Sequence, residues 1–138
     1  MTNLIMPHGS NELNTLYIED EMARSSMLSA AAEMRSIEIT SAAAANAVMM
    51  GAGYFNPLTG FMNKEEALKV STEMLTLNNL FWPVPIVNIT KDANSLDYTH
   101  GEEIALKDPN VEGNPVNAIQ RIENVEKLSD DDIDTIVT

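Results

Sequence analysis

An α+β domain is what this sequence predicts, and three observations carry that reading. Helix caps and helical apolar spacing concentrate in the first half of the chain. Short alternating runs between Pro/Gly loops fill the second half. Between them lies Gly51–Thr90, which holds all three phenylalanines, the only tryptophan and half of the six prolines. In a chain with 5% aromatic residues, most of the large rigid apolar surface lies there. A buried aromatic brings more area than any other side chain, so this stretch is expected to nucleate the core.

The arm Met1–Asn14 is irregular, because Pro7, Gly9 and Ser10 form turns with no periodicity after them. Asp20–Met34 reads as a helix, with Asp20 as N-cap and Glu21 at the positive end of the dipole. Ala23, Met27, Ala30, Ala31 and Met34 make its apolar stripe. Ser36–Thr40 alternates, with Ile37 and Ile39 on one side of a short strand. Ser41–Met50 is a second helix: Ser41 caps it, four alanines favour it, and Gly51 stands as a left-handed C-terminal cap. Gly51–Gly60 is an irregular loop whose Tyr54, Phe55, Leu58 and Phe61 should fold back for burial. Asn63–Met74 is a third helix, with Asn63 and Glu66 at capping-box spacing, Met62 and Ala67 at the staple positions, and Ala67, Val70 and Met74 on the buried side.

Thr76–Leu80 turns around Asn78 and Asn79. Phe81–Thr90 is extended, since Pro83 and Pro85 exclude helix and Ile86, Val87 and Ile89 favour strand. Lys91–Gly101 is a polar turn region, Glu103–Lys107 a strand, and Asp108–Pro115 a loop. Val116–Lys127 contains one more strand, centred on Ala118–Ile122. Ser129 caps a last helix, with Asp130–Asp132 in its first turn, Leu128 and Ile133 as a staple, and an apolar stripe of Ile133, Ile136 and Val137.

The 138 residues suffice for one domain, taken as 1–138, without internal repeats. No apolar run reaches transmembrane length, and the N-terminus lacks the basic and apolar regions of a secretory signal. There is no cysteine, hence no disulfide and no thiolate zinc site. These features fit a cytoplasmic protein with no membrane partner. The net charge of −13, from 21 acidic and 8 basic residues, repels phosphate backbones and argues against nucleic acid as a partner.

Residues that carry chemistry are few. His8 and His100 each stand alone beside a turn, without a second ligand or base near in sequence. Asp92, Asn94, Ser95 and Asp97 invite a calcium reading, but the central glycine and closing glutamate of an EF-hand are missing. Gly51-Ala52-Gly53 follows a helix rather than opening one and lacks the lysine of a phosphate loop.

Gly53–Met74 followed by Leu80–Thr90 resembles the N-terminal domain of the ATP sulfurylases (sulfate adenylyltransferases). The family pattern is an aromatic-x-Pro-Leu-x-Gly-Phe-Met run, a short helix, then Trp-Pro-x-Pro-Ile/Val. Here it is Phe55, Pro57, Leu58, Gly60, Phe61 and Met62, then Trp82, Pro83, Pro85 and Ile86. The family's early Pro-His-Gly is similar to Pro7, His8 and Gly9, and Lys107–Val116 resembles the loop and strand that follow in bacterial members. The resemblance covers essentially the whole chain, in order.

What it implies is a PUA-like β-barrel with packed helices, and a reaction: sulfate joined to the AMP part of ATP, giving adenosine 5′-phosphosulfate and pyrophosphate, with Mg-ATP as substrate of the full-length enzyme. The family's catalytic domain follows this one, with a Gln-x-Arg-Asn motif and a His-x-x-His motif. Neither occurs here; Gln120, Arg121 and Asn124 have the wrong spacing and read as surface residues of a strand. No catalytic, substrate-binding or metal residue is therefore assigned to this chain, and no cofactor. The expectation is a domain cut short at its C-terminal end, inactive alone, supporting its own missing catalytic domain within a homo-oligomer. The alternative is a stand-alone interaction or regulatory module with a PUA-like fold and no catalysis. Some PUA-like folds bind RNA, a use that the charge opposes.

Overall fold

A computed structural model describes residues 5–91 and 97–137. These form four helices and one three-stranded sheet, an α+β arrangement: α1 (Glu21–Ala31), β1 (Ser36–Glu38), α2 (Ser41–Gly51), α3 (Lys64–Glu73), β2 (Glu103–Lys107), β3 (Val116–Arg121) and α4 (Asp130–Val137). The strand order is β1-β2-β3. β1 runs parallel to β2, with Ile37 opposite Leu106. β2 and β3 are antiparallel, with Ile104 opposite Gln120 and an irregularity between Leu106 and Lys107. The central strand buries Ile104, Ala105 and Leu106 in succession, as expected where both faces of a strand are covered.

Two apolar clusters make the core. Ile37, Ile39, Ala43, Ala44, Ile104, Leu106 and Ile122 join the sheet to α2. The alanines matter here: without longer side chains the α2 backbone lies close against the sheet. Met50, Met62, Ala67, Val70, Trp82, Ile86 and Ile136 form the second cluster, with Phe55 and Leu58 packed on it. Phe61 touches both. The aromatic stretch is thus central to the second cluster through Trp82, Phe55 and Phe61. It is not wholly buried: Tyr54 is 75% and Phe81 57% exposed.

Several expectations are corrected by the backbone. The N-cap of α2 is Thr40, whose Oγ1 accepts from the Ala43 N–H at 3.1 Å. Ser41 instead donates its hydroxyl to Asn110. Gly51 is helical, and the left-handed residue is Gly53, at φ 85°. α1 ends at Ala31 rather than Met34, and of the predicted stripe only Ala31 is buried. Met74 leaves the buried side of α3, since the chain turns there at φ 57° and exposes its side chain.

Phe81–Thr90 is not a strand of the sheet. Leu75 and Phe81 form an isolated bridge, the Trp82 N–H donates to Met74 O at 2.8 Å, and the Met62 N–H donates to Ile86 O at 2.7 Å. Pro83 and Pro85 remove two donors, so the segment binds the ends of α3 instead of a ladder. At α4, Ile136 is buried while Ile133 and Val137 are exposed, which narrows the predicted stripe.

The caps of α3 and α4 form where the sequence placed them. Asn63 Oδ1 accepts from the Glu66 N–H at 2.8 Å. Glu66 does not return the bond; it accepts from the Leu77 N–H at 3.0 Å and so ties the Thr76–Leu80 turn to the helix. At α4 the box is reciprocal: the Asp132 N–H donates to Ser129 Oγ (3.1 Å), and the Ser129 N–H to Asp132 Oδ2 (2.9 Å). Lys64 Nζ lies 2.9 Å from the same carboxylate, joining α4 to the start of α3.

The Ser129 backbone N–H, then Lys64, hold the Asp132 carboxyl down from 3.8 to about 2. Because folding lowers this pKa, the stabilisation is fully present above 3.8 and disappears as pH falls through about 2. The protection of the α4 amides, measured against their intrinsic exchange rates at each pH, should therefore fall between about pH 4 and about pH 2. In Asp132→Asn the same amides should exchange faster at neutral pH and lose the acid dependence. An acid profile unchanged by the substitution would assign the effect to other groups.

Candidate functional site

Two concave regions stand out among the described residues. The larger is an open cleft of about 1910 Å³ between the two core clusters, bordered by α1, α2, residues 87–91 and β3. Its walls are mixed: Phe61, Val87, Ile89, Ala118 and Val125 are joined by charged side chains that include Arg24, Lys64, Lys91, Arg121 and Lys127. Within it an amide pair forms, where Asn88 Nδ2 donates to Gln120 Oε1 at 3.0 Å. Asn88 Oδ1 is buried and has no partner among the described residues. A buried acceptor left open costs about 1–3 kcal/mol.

The second is an aromatic cleft of about 320 Å³ lined by His8, Tyr54, Phe55, Phe81, Trp82, Pro83 and Val84. His8 is built into its wall. Its ring lies 5.9 Å from the Trp82 ring, and Nε2 donates to the Phe81 carbonyl at 2.8 Å. Phe55 meets Trp82 edge-on at 6.2 Å. With Nε2 committed to a main-chain carbonyl and its ring beside Trp82, His8 ties the arm to the aromatic segment.

The anchor of that arm is Asn56, a residue that the sequence reading did not single out. It is 5% exposed. Its Oδ1 accepts from the Asn14 N–H at 3.0 Å, and Nδ2 donates to His8 O (3.1 Å) and Ser10 Oγ (2.8 Å). Close approach completes the contact. A Cβ on Gly51 would stand 2.6 Å from the Tyr17 ring, and one on Gly9 2.6 Å from Leu80. The Leu16 N–H donates to Gly51 O at 2.8 Å. Asn56 was visible as an Asn-Pro dipeptide, a turn signal. That it reaches back across 42 residues was not.

Of the other sequence candidates, His100 Nδ1 donates to Glu123 O at 2.8 Å. Gln120 pairs with Asn88, Arg121 is exposed on β3 and Asn124 follows it, exposed, and all three border the larger cleft. Asp92, Asn94 and Ser95 lie outside the described residues, and Asp97 is exposed. Among the described residues no group of three His, Cys, Asp or Glu side chains is placed to hold a metal. No described helix is long and apolar enough to cross a membrane.

Asn56, His8 and His100, the side chains singled out above, bind main-chain atoms of the domain itself. The profile of the PUA-like domain matches residues 5–134. The chain belongs to the PUA-like domain family. This PUA-like domain is 46% identical over 136 residues to a sulfate adenylyltransferase of Alcanivorax borkumensis, which covers 99% of this chain and 33% of that protein. It is 42% identical over 127 residues to the sulfate adenylyltransferase of Allochromatium vinosum, covering 92% of the chain and 32% of the relative. Among solved structures, a hexameric APS kinase from Thiobacillus denitrificans superposes with a TM-score of 0.72 at 28% identity, over 90% of this chain and 24% of that one. The chain thus spans about a third of the length of the curated relatives it matches.

Proposed function

We propose that this PUA-like domain is the N-terminal part of a sulfate adenylyltransferase and supports catalysis carried elsewhere in that enzyme. The observation that carries the reading is the extent of the likeness: nearly all of this chain aligns, in one block, with a third of the Alcanivorax borkumensis enzyme. The interior agrees with a structural role. His8, Asn56 and His100 are all engaged with main-chain atoms, and the −13 charge is a poor setting for ATP and sulfate. In this reading Mg-ATP and sulfate bind the catalytic domain. That domain is the partner of this one within a homo-oligomeric, cytoplasmic enzyme, and the isolated chain has no turnover.

A chimera tests this directly. The first third of the Alcanivorax borkumensis enzyme is replaced by this chain, and adenosine 5′-phosphosulfate formation is followed with pyrophosphatase present. The chimera should keep activity within about tenfold of the parent, a span of 1.4 kcal/mol. The chain by itself should give none. A folded but dead chimera would sink the domain assignment, and turnover by the isolated chain would sink its inactivity. A second reading, a stand-alone interaction module, draws on the exposed apolar side chains of the arm and α2.

A further inference from the structure

The outer edge of β3 has no neighbouring strand among the described residues. In β2 the odd-numbered residues bond towards β1: the Ala105 N–H donates to Arg35 O at 2.9 Å, and Lys107 O accepts from the Ile39 N–H at 3.2 Å. Its even-numbered residues therefore face β3, where Ile104 stands opposite Gln120 and Leu106 opposite Ala118. Just past the strand, Ile122 keeps to the same side, its N–H donating to Glu102 O at 2.8 Å. The backbone groups of Ile119 and Arg121 thus point the other way, and among the described residues no backbone group meets them there.

β3 guards this edge weakly. An open edge is a template for another strand, and folded proteins blunt theirs with proline, charge, bulges or short length. β3 runs for 6 residues, has no proline and carries its one charge at the last position, Arg121. The irregularity opposite Leu106 and Lys107 leaves Ala118–Arg121 in regular register. The other edge strand, β1, is only 3 residues long. The edge of β3 also opens on the larger cleft, which the whole strand borders. There Gln120 reaches Asn88, whose Oδ1 is buried without a partner. Open backbone groups and an open side-chain acceptor therefore adjoin the same space.

We infer that an extended strand pairs with the free edge of β3 and comes from the remaining two thirds of a sulfate adenylyltransferase. This rests on the domain assignment proposed above. The chain spans 33% of the Alcanivorax borkumensis relative, so ample polypeptide remains to supply the strand. Its backbone would meet the N–H and C=O groups of Ile119 and Arg121. Alternate side chains would enter the cleft, apolar ones against Phe61 and Ala118 and one hydrogen-bond donor at Asn88 Oδ1. A second copy of this chain fits less well, because two molecules of charge −13 repel each other.

Residue-resolved hydrogen exchange tests this on two proteins: the chain alone, and its chimera with the last two thirds of the Alcanivorax borkumensis enzyme. In the chain alone, the Ala118 and Gln120 amides should be protected by β2, while those of Ile119 and Arg121 exchange near their intrinsic rates. In the chimera, the Ile119 and Arg121 amides should slow at least about tenfold, and Ala118 and Gln120 should stay protected. Arg121→Pro removes one outward N–H without touching the ladder to β2. In the chimera it should return the Ile119 amide to at least about tenfold faster exchange. An active chimera in which Ile119 and Arg121 exchange as they do in the chain alone would overturn the inference and leave the domain assignment standing. A folded, inactive chimera with both amides slowed would do the reverse. Protection of both amides in the chain alone, as a monomer or as a dimer, would also overturn the inference.

Discussion

Asn56→Ala releases the N-terminal arm while the helices and the sheet stay folded. Three hydrogen bonds from the arm end on this one side chain. Alanine removes all three and leaves the Asn14 N–H and the His8 carbonyl to find water next to an apolar wall. With a net value of about 1 kcal/mol per bond, and more for groups left buried, the expected loss is about 2–4 kcal/mol. It should be read locally. Leu13 on the arm, and Leu16 and Tyr17 just after it, are chymotrypsin sites, and their cleavage under native conditions should rise at least about tenfold, because local opening sets that rate. The single tryptophan reports the same event, since His8 leaves the Trp82 ring when the arm lifts. Cleavage and fluorescence equal to the unaltered chain would mean that the arm is held by its glycine contacts and not by Asn56.

Leu106→Ala has a different signature. Leu106 is 1% exposed in the central strand, opposite Ile37 on one side and Ala118 on the other. Truncating it leaves a cavity that the flanking strands cannot close, at a cost of about 2–5 kcal/mol. Against a total of about 5–15 kcal/mol for a domain, that is a large share. The melting temperature should fall by about 10 °C, with arm and core lost together in one transition. A drop of under about 1 kcal/mol would show that the site repacks, and that β2 is less tightly clamped than its burial suggests.

The contrast between these substitutions marks what the sequence made legible. Leu106 sits in Glu103–Lys107, whose alternation and flanking loops were enough to place a strand. Asp20, Asn63 and Ser129 were equally legible, because a cap is a local event in which a side-chain oxygen meets an N–H three residues on. Thr40 and Ser41 show the limit of that logic: both can cap, and the choice went to the residue whose backbone is extended, while Ser41 was drawn to Asn110.

Phe81–Thr90 shows another limit. Its β-branched residues favour an extended backbone, but propensity does not name a partner, and the segment joined no strand of the sheet. Two prolines turned it towards the ends of α3. The Asn56 anchor was out of reach for a related reason. Nothing in Asn-Pro says that an arm begun some 40 residues earlier will return to it. The nearness of Arg121 to the turn at His100 and Gly101 was likewise not legible, because it depends on the pairing of β2 with β3.

The parallel pairing of β1 with β2 has a consequence for the order in which the chain assembles. Ile37 faces Leu106 across the whole of α2, the aromatic loop, α3 and the Pro-rich segment. The second cluster, apart from Ile136, is gathered from Met50 to Ile86. Closing the sheet therefore spans a far longer loop than collapsing the aromatic segment, and long closures are entropically slower to find. The segment from Gly51 to Thr90 can condense while the ribosome still holds the strands that complete the sheet. The sheet then forms around a nucleus already in place.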